Sequence, residues 1–422
     1  MTGIIPYPAH VEILGNGLKT VVMPMPGNGL VAFWTIVRTG SRDEYEEGRT
    51  GFAHFFEHMM FRGTEHYPTE RYQRILTEIG ADANAYTTDD LTAYHLSLAA
   101  EDLETVMELE SDRFRNLAYS RRDFETEAGA VYGEYRKSRT DPVFTLYEAV
   151  VETAFDVHPY GHTTMGYEAD IAAMPGLYDY SREFFARYYR PDNTILFVAG
   201  EVDPERVFGE VERWYGGWAP GYVAPPIPPE PEQRGERRVD VDYDGRTLPL
   251  VWLAYKVDAF DPGNPRRVAA DLLAELAFGE TSDAYRRLVL DEQVVESLSA
   301  GARWNRDPGL LDVYASVKAP AKVDYVIGVL DDTAARCRAV RPGPDALAAL
   351  KSRIRYDFLM GFETPDRAAQ RVARPLAVCG ELSGLEALYA AYADVAPDDV
   401  QAAAEAYLRP ERRTVGVLRG RR

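Results

Sequence analysis

Residues 54 to 58, His-Phe-Phe-Glu-His, set two imidazoles and a carboxylate at a spacing suited to metal chemistry. On a helix of about 3.6 residues per turn, positions i and i+4 share a face, so His54 and His58 can offer nitrogens to one ion with Glu57 beside them. Zinc suits this pair. It imposes no fixed geometry, accepts neutral imidazole readily, and in catalytic sites needs a third protein ligand while keeping a position open. Glu57 is then placed to act as base on a water that the ion has acidified. The order is His-Glu-x-x-His read backwards along the helix, and it keeps the same side-chain geometry. The competing reading is an amphipathic helix in which Phe52, Phe55, Phe56, Met59, Met60 and Phe61 form a core stripe and the histidines are merely hydrogen-bonded inside it.

A third ligand is sought in FETEAGAVYGEYRKS, residues 124–138, which is helical in propensity. Glu127 and Glu134 lie seven residues apart there, two turns along one face. One could ligate and the other could orient a ligand or water. In a chain with 67 acidic residues most carboxylates must be solvated, so spacing leaves the ligand and surface roles equally open.

The run GRTGFAHFFEHMMFRGTEHYP, followed by Glu134 76 residues after His58, resembles the zinc peptidase family of pitrilysin, insulin-degrading enzyme and mitochondrial processing peptidase, the inverzincins. The resemblance implies one zinc per chain held by His54, His58 and Glu134, with Glu57 as general base and Glu127 as an accessory. It extends in order through GADANAYTTDDLTAYHLSL (80–98), HPYGHTTMGYEADIAAM (158–174) and FFARYYRPDNTILFVAGEVDPERV (184–207). The first of these resembles the family strand whose Asn-Ala pair, here Asn84 and Ala85, lies along the cleft and adds substrate backbone to its edge. The activity implied is that of an endopeptidase acting on unfolded peptides.

One departure bears on mechanism. Self-sufficient members of the family carry, in the C-terminal half, an arginine and a tyrosine seven residues later that hold the substrate. In RRLVLDEQVVESLSA, residues 286–300, Val289 and Glu296 stand at those places. Valine has no donor, and an ionised glutamate would repel a developing oxyanion. Family chains of this length pair with a similar chain around a chamber, so the expectation is the zinc-bearing subunit of a heterodimer whose partner supplies the Arg/Tyr pair. The alternatives are a self-sufficient homodimer using Arg286, Arg287 or Tyr285, and a non-catalytic structural or peptide-binding subunit.

Composition narrows the remaining classes. With 422 residues and 46% hydrophobic, the chain is long enough for two or more cores. A net charge of -20 disfavours nucleic acid. No apolar run of about 18 residues predicts membrane insertion, and the N-terminus lacks a secretory pattern, so a cytoplasmic location is expected, or a periplasmic one if a signal was removed before residue 1. Cys337 and Cys379 are expected as buried thiols. No histidine follows His162, which denies the C-terminal half a histidine-based metal site.

The elements that must position the site are legible in outline. Residues 10–40 read as a hairpin turning at Gly15-Asn16-Gly17, with LKTVVMPM and LVAFWTIVRTG as its strands. Helical periods run through 99–118 and 385–408, and TILFVAG and TLPLVWLAYKV read as strands. The proline-rich stretch 219–238 reads as an interdomain linker between an N-terminal zinc-binding domain, 1–218, and a C-terminal domain, 239–422, without a metal site. The predicted class is α+β: two related domains, each a largely antiparallel sheet with helices packed on one face, together forming half of a clamshell.

Overall fold

LVAFWTIV and TILFVAG are buried at nearly every position, as strands must be when both faces of a sheet are covered. The computed structural model describes residues 3–26 and 28–421. Its first sheet is built from β1 (His10–Ile13), β2 (Lys19–Pro24), β3 (Leu30–Val37), β4 (Asp82–Thr87), β5 (Thr92–Ala99) and β6 (Thr194–Gly200), in the order β1-β2-β6-β3-β5-β4. Only β2 and β6 run parallel. The turn at Gly15-Asn16-Gly17 closes β1 on β2, with Ile13 opposite Lys19. LKTVVMPM and LVAFWTIVRTG are therefore not the two arms of a hairpin, because β6 lies between them. Their lack of alternation was the signal: each is covered on both faces, and such strands sit at the centre of a sheet.

The metal-motif helix α1 (Phe52–Met59) follows β3 and packs on β4 and β5. Tyr94 of β5 points to it and donates its hydroxyl to the Phe56 carbonyl at 3.1 Å. The glutamate-bearing helix α2 (Arg121–Ser138) buries Phe124, Glu127, Ala128, Val131 and Tyr135, one stripe at helical spacing, and Phe124 meets Phe55 of α1 with ring centroids 5.0 Å apart.

The second sheet takes β7 (Arg237–Tyr243), β8 (Leu250–Val257), β9 (Val295–Ala302), β10 (Gly309–Val317) and β11 (Arg413–Gly420) in the order β7-β11-β8-β10-β9. Here too one pair, β7 and β11, is parallel and the rest antiparallel. Without β1, the first sheet has the same order and the same orientations. Two sheets of one topology, with helices between their strands, make this an α+β fold containing an internal repeat.

The units that these sheets organise are not contiguous. One comprises residues 1–135, 163–227 and 358–381, and the other 136–162, 228–357 and 382–422. The ranges 1–218 and 239–422 expected from sequence thus each give up one helix. Helix α3 (Pro142–Ala154) packs on β7, β8 and β11, with Leu146 and Val150 buried against the second sheet. Helix α4 (Pro365–Cys379) packs on β3 and β6. The exchange is reciprocal, since β8 and β11 occupy in the second sheet the places of β3 and β6 in the first. Its physical reason is apolar: α4 covers its sheet with an alanine-rich apolar stripe, Ala368, Ala369, Val372, Ala373, Leu376 and Ala377, all buried. One of the changes of unit along the chain, between Ile227 and Pro228, falls in the proline-rich stretch, and residues 219–234 form neither helix nor strand.

Candidate metal centre

Helix α1 begins at Gly51, whose φ of 89° is open to glycine at little cost. A Cβ at Gly51 would also stand 2.7 Å from the Met165 carbonyl oxygen. The buried Glu44 carboxylate accepts the Gly51 and Ala53 amides at 2.7 and 2.6 Å, satisfying donors that the first turn cannot. Phe52, Phe55, Phe56 and Met59 are buried, so the apolar stripe of the competing reading is real. The imidazoles share the helix with it but stand on its other side.

There His54 Nε2 and His58 Nε2 converge on Glu134 Oε2, at 3.7 and 3.2 Å. One donor atom from each of the three residues lies within 4.8 Å of the others, and among the described residues this is the one group of three or more potential ligands that meets that condition. Burial first, and the neighbouring His58 second, push His54 down to about 4, which keeps its ring neutral and its nitrogen lone pair available near pH 7. Its Nδ1 has no hydrogen-bond partner among the described residues.

His58 is held differently. Its Nδ1 lies 3.0 Å from Glu127 Oε1, and the Arg62 Nε donates to Glu127 Oε2 at 2.7 Å, with Arg62 Nη2 on the same oxygen. The Glu127 hydrogen bond is the main reason His58 is raised above its ordinary range. Burial alone would raise Glu127, but the hydrogen bonds from His58 and Arg62 and the guanidinium charge hold it low. Glu127 thus stands behind an imidazole, on the nitrogen away from the convergence point.

Glu57 is half-buried beside the three donors, and burial raises it above the usual carboxylate range. Its Oε2 accepts the Thr87 hydroxyl at 2.6 Å. Asn84 and Ala85 lie on β4, the outer strand of the first sheet. The Ala85 amide donates to the Asn84 side-chain oxygen at 2.9 Å, so that amide faces the open edge rather than β5. Val289 falls in a π-helical turn, Arg286–Asp291, and Glu296 is exposed on β9. Arg287 is occupied, donating to Glu292 at 2.9 Å and to the Tyr325 hydroxyl at 2.7 Å.

Sequence reasoning missed Arg62, Thr87 and Glu44. Arg62 carried a signal, four residues beyond His58 on the same side of a helical run, and Thr87 sits two residues past Ala85 on the face that β4 turns to α1. Glu44 carried none, because its role depends on how the chain returns to Gly51.

Comparison with known proteins finds relatives along nearly the whole chain. The model of insulinase (peptidase family M16) matches residues 21–168, and that of the peptidase M16 inactive domain matches residues 178–353. The zinc protease PqqE of Helicobacter pylori is 28% identical over 424 residues, spanning 98% of this chain and 93% of its own. The crystal structure of a protease from Helicobacter pylori has a TM-score of 0.91 at 25% identity, covering 98% of this chain and 100% of that one. The periplasmic protease PqqL of Escherichia coli shares the fold, with a TM-score of 0.78 at 18% identity, over 98% of this chain and 48% of that one.

Proposed function

This chain belongs to the M16 (insulinase) peptidase family, and on that premise we propose that it is a zinc-dependent endopeptidase acting on unfolded peptides. The observation that carries the proposal is the convergence of His54, His58 and Glu134 with Glu57 alongside. Two imidazole nitrogens and one carboxylate oxygen form a donor set that fits zinc and leaves a position open. When bound, zinc would supply Lewis acidity, polarising a carbonyl and lowering the pKa of a water toward about 7.

The remaining work falls to the protein's own groups. Glu57 accepts the proton of the attacking water and returns it to the leaving amine, a task that suits a carboxylate raised by burial. Glu127, as an accessory, fixes the ring of His58 through Nδ1 and so aims Nε2 at the ion. Substrate backbone adds to the β4 edge at Asn84 and Ala85, where the peptide displaces the Asn84 side chain from the Ala85 amide. Glu57→Gln is expected to keep zinc and lose cleavage by about 10²–10⁴-fold, whereas His54→Ala loses the metal. Near-normal turnover in Glu57→Gln would refute the role of that residue.

The chain is read further as the zinc-bearing subunit of a heterodimer. Support comes from Val289 and Glu296 at the places of the substrate-holding pair, and from the fold of one chain matching about half of the PqqL chain. Zinc uptake by the isolated chain, with cleavage only after a second M16 chain is added, is the expected result. Full activity of the isolated chain would favour a homodimer, and zinc-free protein without activity a structural or peptide-binding subunit. No helix among the described residues is long and apolar enough to cross a membrane, and a cytoplasmic or periplasmic site of action is to be decided by fractionation.

A further inference from the structure

Glu57 needs a fixed orientation to serve as base, and α1 does not provide one. The residue lies on the flank of the helix toward β4, and its carboxylate would be free to rotate about its terminal bond unless held from outside. The Thr87 hydroxyl, at 2.6 Å from Oε2, is the side-chain hydrogen bond that holds it, with the Thr87 backbone contributing more weakly beside it. Thr87 is the last residue of β4, opposite Thr92, and it shares a sheet face with Ala85 and Tyr94, the latter also bonded to α1. We propose that Thr87 is a positioning residue for the reaction: it pins one oxygen of Glu57 and leaves the other to exchange the proton, and it ties the base to the strand on which substrate is laid. Resting on the role of Glu57 proposed above, this adds a residue that the metal motif does not contain.

The geometry has a functional consequence. Asn84 and Ala85 lie three and two residues before Thr87 on one short strand. A strand is stiff along its axis, so the distance between a peptide laid on β4 and the base is set by the chain itself. The hydroxyl contributes direction rather than charge. Its loss should therefore reduce turnover without weakening substrate or metal binding.

The test uses the full chain, with its second chain where cleavage requires one, and compares Thr87→Val, Thr87→Ser and Glu57→Gln. Valine keeps the shape and the branched β-carbon but cannot donate. The expected result for Thr87→Val is unchanged zinc stoichiometry, unchanged KM and a kcat lower by about ten- to a hundredfold, with Thr87→Ser restoring most of it. A crystal structure of metal-free Thr87→Val should show the Glu57 carboxylate turned from its present orientation, and that of Thr87→Ser should not. Wild-type kcat in Thr87→Val beside an inactive Glu57→Gln overturns the proposal and leaves the base intact. A raised KM with kcat unchanged also overturns it, placing Thr87 in substrate binding. Activity in Glu57→Gln would remove the base reading and this proposal together.

Discussion

Glu127 offers the sharpest quantitative check on the centre. Only 5% exposed, it accepts from His58 with one oxygen and from Arg62 with the other. In Glu127→Ala both contacts go, His58 loses the group that fixes its tautomer, and the ring is free to turn its Nε2 away from His54 and Glu134. Losing such a partner typically weakens metal binding by about 10–100-fold, which is about 1.4–2.7 kcal/mol. Glu127→Gln should fall at the lower end. Its one carbonyl oxygen can serve His58, but its amide nitrogen then faces the Arg62 guanidinium, and donor opposes donor. The assay is competitive zinc titration of metal-free protein against a chromophoric chelator, with circular dichroism to verify the fold. Affinity within about twofold of wild type for Glu127→Ala would refute the reasoning and return Glu127 to a structural ion pair with Arg62.

Three further outcomes follow from the geometry. Gly51→Ala introduces a Cβ at positive φ and 2.7 Å from the Met165 carbonyl oxygen, so about 2–3 kcal/mol of stability should be lost along with zinc affinity; a melting temperature within about 1 °C of wild type would contradict this. Leu146→Ala, in the helix that crosses to the second sheet, should cost about 2–5 kcal/mol and raise hydrogen exchange in β8 and β11, and equal effects in β3 and β6 would contradict the exchange of helices. Burial lowers Lys256 to about 8 against the attraction of Glu230, 3.1 Å away. Between about pH 8 and 10.5 the unfolded chain keeps a proton that the folded chain has released, so this group makes stability rise with pH across that window, by about 3 kcal/mol at most. Lys256→Met should flatten the rise in a thermal-unfolding series, and an unchanged slope would exclude Lys256 as its source.

Local chemistry was written in the order of residues, and tertiary structure decided what depended on distant segments meeting. The pentad placed two imidazoles and a carboxylate on one short helix, because i and i+4 share a face whatever surrounds them. The two-sheet α+β class was likewise legible, since strand runs act through their own backbone. Spacing could not separate Glu127 from Glu134, for both lie on one face of α2; only the packing of Phe124 on Phe55 aims Glu134 at the two Nε2 atoms and Glu127 at the far side of His58. The pairing of β2 with β6 and the exchange of α3 and α4 were also beyond the sequence. Buried strands and apolar helix faces carry no mark of which partner they cover, because apolar contact is non-directional and the best-packed partner is chosen by the whole fold.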